Sequence, residues 1–299
     1  MLGEEQETMA KQELVSVIIP VCNRPELVER AVRSVFAQSC DNWELIVIND
    51  GSTDHTSEVL DSLAKEAQGR MRVVNQENRG VSAARNTGMA LAQADLIALL
   101  DSDDEWMSRK LELHVPFLRE NGFEICQTQE IWMRGGKRVN PMRKHAKPSG
   151  RFFIQALEMC LVSPSCVMFS QKFLGDVGNF DESLPACEDY DLWLRALTGF
   201  DIGLLEHALT IRHGGRPDQL SARYTGLDLY RIRAMAKLLD PERPLPVPLT
   251  PEHKEMVLRV MLAKAEVYVA GCLKRGRVEE AQRVQALVDA AKKSAQTRT

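Results

Sequence analysis

The sequence predicts an α/β protein with a mostly parallel sheet flanked by helices. Three observations carry that prediction. Short apolar runs recur at 15–20, 43–49, 71–75 and 96–100. The segments between them have helical spacing, and such alternation builds βαβ units with right-handed crossovers. The last apolar run, Leu96-Ile97-Ala98-Leu99-Leu100, passes directly into Asp101-Ser102-Asp103-Asp104. That places carboxylates at the C-terminal edge of a parallel sheet, where open α/β folds bind ligands.

The elements follow in order. Val15-Ser16-Val17-Ile18-Ile19-Pro20 has the apolar content of a strand buried on both faces. A helix follows over 25–38, with Pro25 in its first turn and Leu27, Ala31, Val32 and Val35 on one face. Trp43–Asn49 is the second strand. Asp50-Gly51-Ser52-Thr53-Asp54 has turn chemistry and offers a cap for a helix reaching about Gln68. Met71–Asn75 is a short third strand, 81–93 a helix of small residues, and 96–100 the fourth strand. Periodicity weakens between Phe123 and Phe169, where 124–133 reads as a strand ending at the turn Gly135-Gly136. A turn at 177–181 precedes an amphipathic helix over 189–197. Five prolines between Pro241 and Pro251 read as a linker. Beyond it, 252–274 and 278–293 form two helical segments joined at Arg275-Gly276-Arg277.

These boundaries divide the chain into a polar tail (1–14), a catalytic domain (15–215), a helical extension (216–240), the Pro-rich linker (241–251) and a C-terminal hairpin (252–299). Tyr268, Gly271, Glu280 and Ala281 give the hairpin the character of one tetratricopeptide-like unit. One such unit falls short of a stable array, so it should dock on the main domain or on a second copy of the chain.

Composition narrows the function classes. The 299 residues are 44% hydrophobic and 27% charged, typical of a soluble globular protein. A net charge of −4 argues against a dominant nucleic-acid surface. Arg134, Lys137, Arg138, Arg143, Lys144, His145 and Lys147 nevertheless make one segment locally basic. That segment is either a solvated loop or a site for an anionic acceptor. Seven cysteines without a Cys-x-x-Cys pair fit reduced thiols in the cytoplasm. The polar start, Met1–Glu13, does not read as a signal peptide. No apolar run approaches the ~20 residues that span a bilayer, so any membrane contact is expected to be peripheral.

Clustered carboxylates repel one another unless a cation joins them. Mg²⁺ and Mn²⁺ prefer oxygen donors, so Asp101 and Asp103 suggest a metal site for a phosphorylated substrate. Alternation along an extended chain puts positions i and i+2 on one face. The competing reading is a solvated loop whose acids, Asp104 among them, cap the following helix. No Gly-x-Gly-x-x-Gly follows the first strand and no Gly-Lys-Ser/Thr phosphate loop occurs, which removes the two commonest nucleotide-binding readings.

Five motifs occur in register: Val17–Arg24, Asn49–Asp54, Glu77–Gly88, Asp101–Asp104 and Cys187–Arg195. Together they resemble family 2 glycosyltransferases with the GT-A fold, a Rossmann-like architecture, over about residues 15–215. The resemblance implies a nucleotide contact at Pro20, Val21 and Arg24. It implies that Asp50 accepts a hydrogen bond from the base, commonly uracil, although an Asp-Gly turn residue bonding nearby backbone is an equal alternative. Arg85 would contact the nucleotide or else form a surface ion pair. Asp101 and Ser102 would bind the nucleotide sugar, with Asp101 on the ribose or a metal-bound water, and Asp103 would hold Mn²⁺ or Mg²⁺. Asp189 would be the general base that deprotonates the acceptor hydroxyl, with Asp191 as a fallback expected to face solvent. His213, in Ile211–Gly215, would lie near the diphosphate or metal, unless it is an ordinary surface histidine. Trp106 and Trp193 read as core or as walls of an acceptor pocket, with a sugar platform the further alternative for Trp106 and core packing favoured, and Cys187 reads as an inert thiol.

The implied activity is inverting transfer of a sugar, from a nucleoside diphosphate donor such as a UDP-sugar, to a glycan or lipid-linked acceptor. A sugar-phosphate nucleotidyltransferase and a non-catalytic scaffold of the same fold are the rivals. The nucleotidyltransferase would need a triphosphate substrate. The scaffold predicts no metal-dependent UDP binding.

Overall fold

A computed structural model describes residues 13–216, 218–219, 223–224 and 226–296. The polar tail up to residue 12 and parts of the helical extension lie outside the described residues. The chain forms two compact units. The first runs to Gly150 and adds Leu161–Pro185 and Asp201–Gly215; the second comprises Arg151–Cys160, Ala186–Phe200 and Arg216–Thr299.

The first unit is built on one sheet. Strand β1 (Val15–Val21), helix α1 (Pro25–Phe36), β2 (Trp43–Asp50), α2 (Thr56–Glu66), β3 (Met71–Gln76), α3 (Val81–Leu91) and β4 (Leu96–Leu99) follow the predicted alternation. All seven β1 residues are buried, as a strand covered on both faces requires. Short β5 (Glu105–Trp106), helix α4 (Lys110–Glu120), β6 (Ile125–Arg134), β7 (Lys137–Val139), β8 (Val167–Ser170), α6 (Gln171–Val177) and β9 (Gly203–Gly214) complete this unit, with α5 (Phe153–Glu158) and α7 (Glu188–Ala196) belonging to the second.

The strand order is β3-β2-β1-β4-β8-β6-β9-β5, with β7 added on β6. The β3-β2-β1-β4 half is parallel. The remaining pairs are antiparallel except β6–β9. Alternate residues of β1 and β2 pack against Val28, Val32, Leu60 and Leu63 of α1 and α2. Ile46 and Ile48 face Ala84 of α3 on the other side. Gly88 lets α3 lie directly on β1, because a Cβ there would collide with Ile18 Cγ2. The predicted turn at Gly135-Gly136 is a two-residue hairpin between paired Arg134 and Lys137, with φ of 55° and 75°. Consecutive positive φ values define the turn that matches strand twist.

The second unit adds α8 (Asp228–Leu238), α9 (Pro251–Lys274) and α10 (Val278–Gln296). Val257, Val260 and Met261 of α9 and Val284 and Val288 of α10 are buried. The Pro-rich segment is held rather than free. Arg243 donates to both carboxylate oxygens of Asp191 at 2.9 Å, and Pro246 lies so close to Gly199 that a Cβ there would meet its Cβ at 2.6 Å. Helix α7 is buried on nearly every face, including Tyr190 through Ala196. Asp191 is therefore not the solvent-facing residue expected of it: it is 1% exposed and pairs with Arg243 and Arg195. Among the described residues no helix is long and apolar enough to cross a membrane.

Candidate active site

Strand order fixes where the site lies. From β1 the chain moves to one side through β2 and β3, then α3 returns it to β4 on the other side of β1. The crevice between the C-terminal ends of β1 and β4 is thus the topological switch point, where open α/β sheets bind ligands. Pro20 and Val21 end β1, and Arg24 sits at the N-cap of α1. Across the crevice, Asp101–Asp104 follow β4. Arg24 Nη1 lies 3.4 Å from Asp103 Oδ2, so the structure joins these two sequence-predicted residues directly.

Asp101 is held from α3. Arg85 Nη2 donates to Asp101 Oδ1 at 2.7 Å, and its guanidinium lies over Phe180 at 5.0 Å. At 3% exposure Arg85 is no surface ion pair. Asn86 fixes the loop that brings Phe180, exchanging hydrogen bonds with its backbone N–H and C=O.

Asp50 occupies the end of β2 with 4% exposure. Its Oδ1 accepts from Gln76 Nε2 (2.8 Å) and Arg79 N–H (2.9 Å), and Oδ2 from Gly80 N–H (2.8 Å). A carboxylate offers about four acceptor positions, so the residue mainly anchors the N-terminus of α3, with limited capacity for a base. Asn23, at φ 52°, accepts from Thr53 N–H and donates its own N–H to Ser52 Oγ, tying the β1 and β2 edges together.

Behind the acids sits Ser165, a residue without sequence signal. Its hydroxyl donates to Asp104 Oδ2 (2.7 Å) and accepts from Asp101 N–H (3.1 Å). Its carbonyl accepts from Trp106 Nε1 and Thr210 Oγ1. Asp104 is consequently not a helix cap: α4 begins six residues later with Arg109 at its N-cap. Instead Asp104 Oδ1 accepts from His213 N–H, which pins β9 to the acidic loop. Burial and the neighbouring Asp103 and Asp101 push its carboxyl up to about 8. Ser102 is buried beside it. His213 Nε2 lies 2.8 Å from Glu105 Oε1, a partner the sequence did not suggest.

Asp101 and Asp103, the oxygen donors expected from the sequence to meet a divalent ion, are each paired with an arginine. Among the described residues no three His, Cys, Asp or Glu side chains converge on one point. That donor set fits an ion that uses one or two carboxylates and completes its shell with substrate phosphates and water, the usual magnesium arrangement.

Asp189 belongs to the second unit. It is half-buried in the first turn of α7, where its Oδ1 accepts from Tyr190 N–H and its Oδ2 from the Cys160 thiol. Cys187 precedes it at φ 59°, and burial pushes its thiol up to about 12, which leaves it unreactive. Trp106 and Trp193 are core residues at 4% and 2% exposure.

A half-parallel sheet with paired acids at its switch point, continued by antiparallel strands, is the GT-A architecture. The model of Glycosyl transferase family 2 matches residues 16–178, and the chain belongs to that family. It is 35% identical over 213 residues to an uncharacterized glycosyltransferase of Rickettsia felis, covering 68% of this chain but 34% of the relative. The chain thus spans about a third of that relative's length. It is 29% identical over 196 residues to the Escherichia coli UDP-Glc:alpha-D-GlcNAc-diphosphoundecaprenol beta-1,3-glucosyltransferase WfgD, covering 64% of this chain and 73% of that one. Among solved structures, S. aureus TarS 1-349 in complex with UDP-GlcNAc shares the fold at TM-score 0.67 and 15% identity, over 95% of this chain and 90% of that one. The mannosyltransferase PcManGT from Pyrobaculum calidifontis, in complex with GDP-Man and Mn2+, shares it at TM-score 0.60 and 17% identity, over 94% and 86%.

Proposed function

We propose that this protein transfers a sugar from a nucleoside diphosphate donor, favouring a UDP-sugar, to an acceptor hydroxyl with inversion, in the assembly of a surface glycan. The observation that carries this reading is the Arg24–Asp103 pair spanning the switch point, with Asp101 held beside it by Arg85. The names of WfgD and of the TarS complex support a UDP-sugar donor, and WfgD's name supports a lipid-linked acceptor.

In this reading Pro20 and Val21 line the nucleotide, with Asp50 beneath it, and Arg24 and Arg85 balance the charge of the acidic pair. Asp103 and Asp101 hold a divalent ion, Mn²⁺ or Mg²⁺. When bound, that ion neutralises charge on the departing diphosphate. Asp189 takes the proton from the acceptor hydroxyl as its oxygen attacks the anomeric carbon. Ser102 and His213 stand at the edge of the donor site, with His213 oriented by Glu105.

Screening nucleotide sugars for hydrolysis with Mn²⁺ and Mg²⁺, beside calorimetry of UDP binding, tests the proposal. Metal-dependent UDP binding that Asp103→Asn weakens tenfold or more supports it. Turnover of triphosphates with release of pyrophosphate would overturn it in favour of nucleotidyl transfer.

A further inference from the structure

The basic segment identified in the sequence is not uniform. Lys147 is buried at 8% exposure and pairs with Glu130 at 3.2 Å. Burial raises the Glu130 carboxyl, but Lys147 and Arg212 outweigh it and hold the acid at about 2. This pair is internal and anchors the end of the segment.

The other cations are arranged differently. Arg134, Lys137 and Arg138 flank the β6–β7 turn, and Arg143 and Lys144 lie on the single 3₁₀ turn that follows. All five are exposed. Among the described residues none of the five pairs with an acid, and no acid occurs between 134 and 147. Met142, at 59% exposure, stands among them. The concentration of positive charge contrasts with a chain whose net charge is −4. Among the described residues strand β7 pairs only with β6, off the main path of the sheet. The turn end of the hairpin is next to the candidate site: Met133 and Arg134, which flank the turn, pair with His213 and Gly214 of β9.

We propose that the β6–β7 hairpin and the following 3₁₀ turn form a docking surface for an anionic membrane leaflet. Phosphate headgroups meet the five cations, and Met142 enters the interface between them. Polybasic segments gain about fivefold in partitioning per cation near an anionic surface. The attraction decays within a Debye length and weakens with salt. Docking through this hairpin would hold the β9 edge of the donor site at the membrane surface. The proposal concerns binding alone and does not depend on the transfer reaction.

The test is sedimentation of the full chain with phosphatidylcholine vesicles, with and without phosphatidylglycerol, at low and physiological salt. A variant carrying Lys137→Glu, Arg138→Glu, Arg143→Glu and Lys144→Glu is compared, with UDP binding measured on both proteins as a check of folding. The expected result is at least tenfold tighter binding to the anionic vesicles, lost in the variant and reduced by salt, with UDP affinity unchanged. Equal binding to both vesicle types, or undiminished binding by a folded variant, overturns the proposal. A third arm uses phosphatidylcholine vesicles doped with a polyprenyl diphosphate. Binding confined to that arm also overturns it, because the surface would then recognise an acceptor rather than a leaflet.

Discussion

Lys110 shows how far a residue's environment can depart from its sequence context. It is fully buried, and its ammonium contacts Cys166 O at 3.2 Å and the Trp106 ring at 5.1 Å. Burial pushes its pKa down to about 8. Between about pH 8 and 10 Lys110 therefore binds fewer protons in the folded protein than in the unfolded chain, and its own contribution to stability rises with pH across that window, against the opposite contribution of buried thiols such as Cys187. Lys110→Met is expected to remove that contribution, so that its stability relative to the parent protein falls as pH rises from about 8 to 10, read by urea unfolding of both proteins at a series of pH values. The acids split in their legibility. Asp101 and Asp103 stand out because they end an apolar run. Asp104 follows the same run, but its role depends on Ser165, sixty-one positions later in sequence. Asp189→Asn is expected to leave UDP binding intact and to abolish transfer, so full activity in that variant would remove Asp189 from the mechanism.

At the scale of elements, the parallel half of the sheet was legible because double-sided burial leaves uninterrupted apolar runs. The rest was not. Strands β5 and β8 have two and four residues, too few for periodicity. Strand β9 mixes Glu206, His207 and Arg212 with apolar residues, and its register against β6 shifts around Gln129. Helix α7 misled for the opposite cause: a helix buried almost all round has no solvent face, so its polar positions are not outward positions. Asp191 needs Arg243 for that reason. Arg243→Ala should destabilise the protein by less than the roughly 3–5 kcal/mol of a wholly unpaired buried charge, because Arg195 still pairs with Asp191. Chemical unfolding measures this. Where α3 meets β1, Gly88→Ala should cost about 1–3 kcal/mol by forcing Ile18 aside, with no change in UDP affinity relative to the folded fraction.

At the scale of the molecule, a ligand that binds the native state raises its melting temperature. UDP with Mn²⁺ at about a hundredfold over Kd should add about 2.7 kcal/mol, while UDP or Mn²⁺ alone should add much less if, as proposed, Asp101 and Asp103 hold the ion together with a diphosphate. Differential scanning calorimetry distinguishes the three conditions. The second unit has one further property that follows from its makeup. It is assembled from Arg151–Cys160, Ala186–Phe200 and the chain beyond Arg216. During synthesis, α5 and α7 leave the ribosome long before α8, α9 and Arg243 exist to cover them. The helix that carries Asp189 must therefore wait, with Asp191 lacking Arg243, until that part of the second unit has been made.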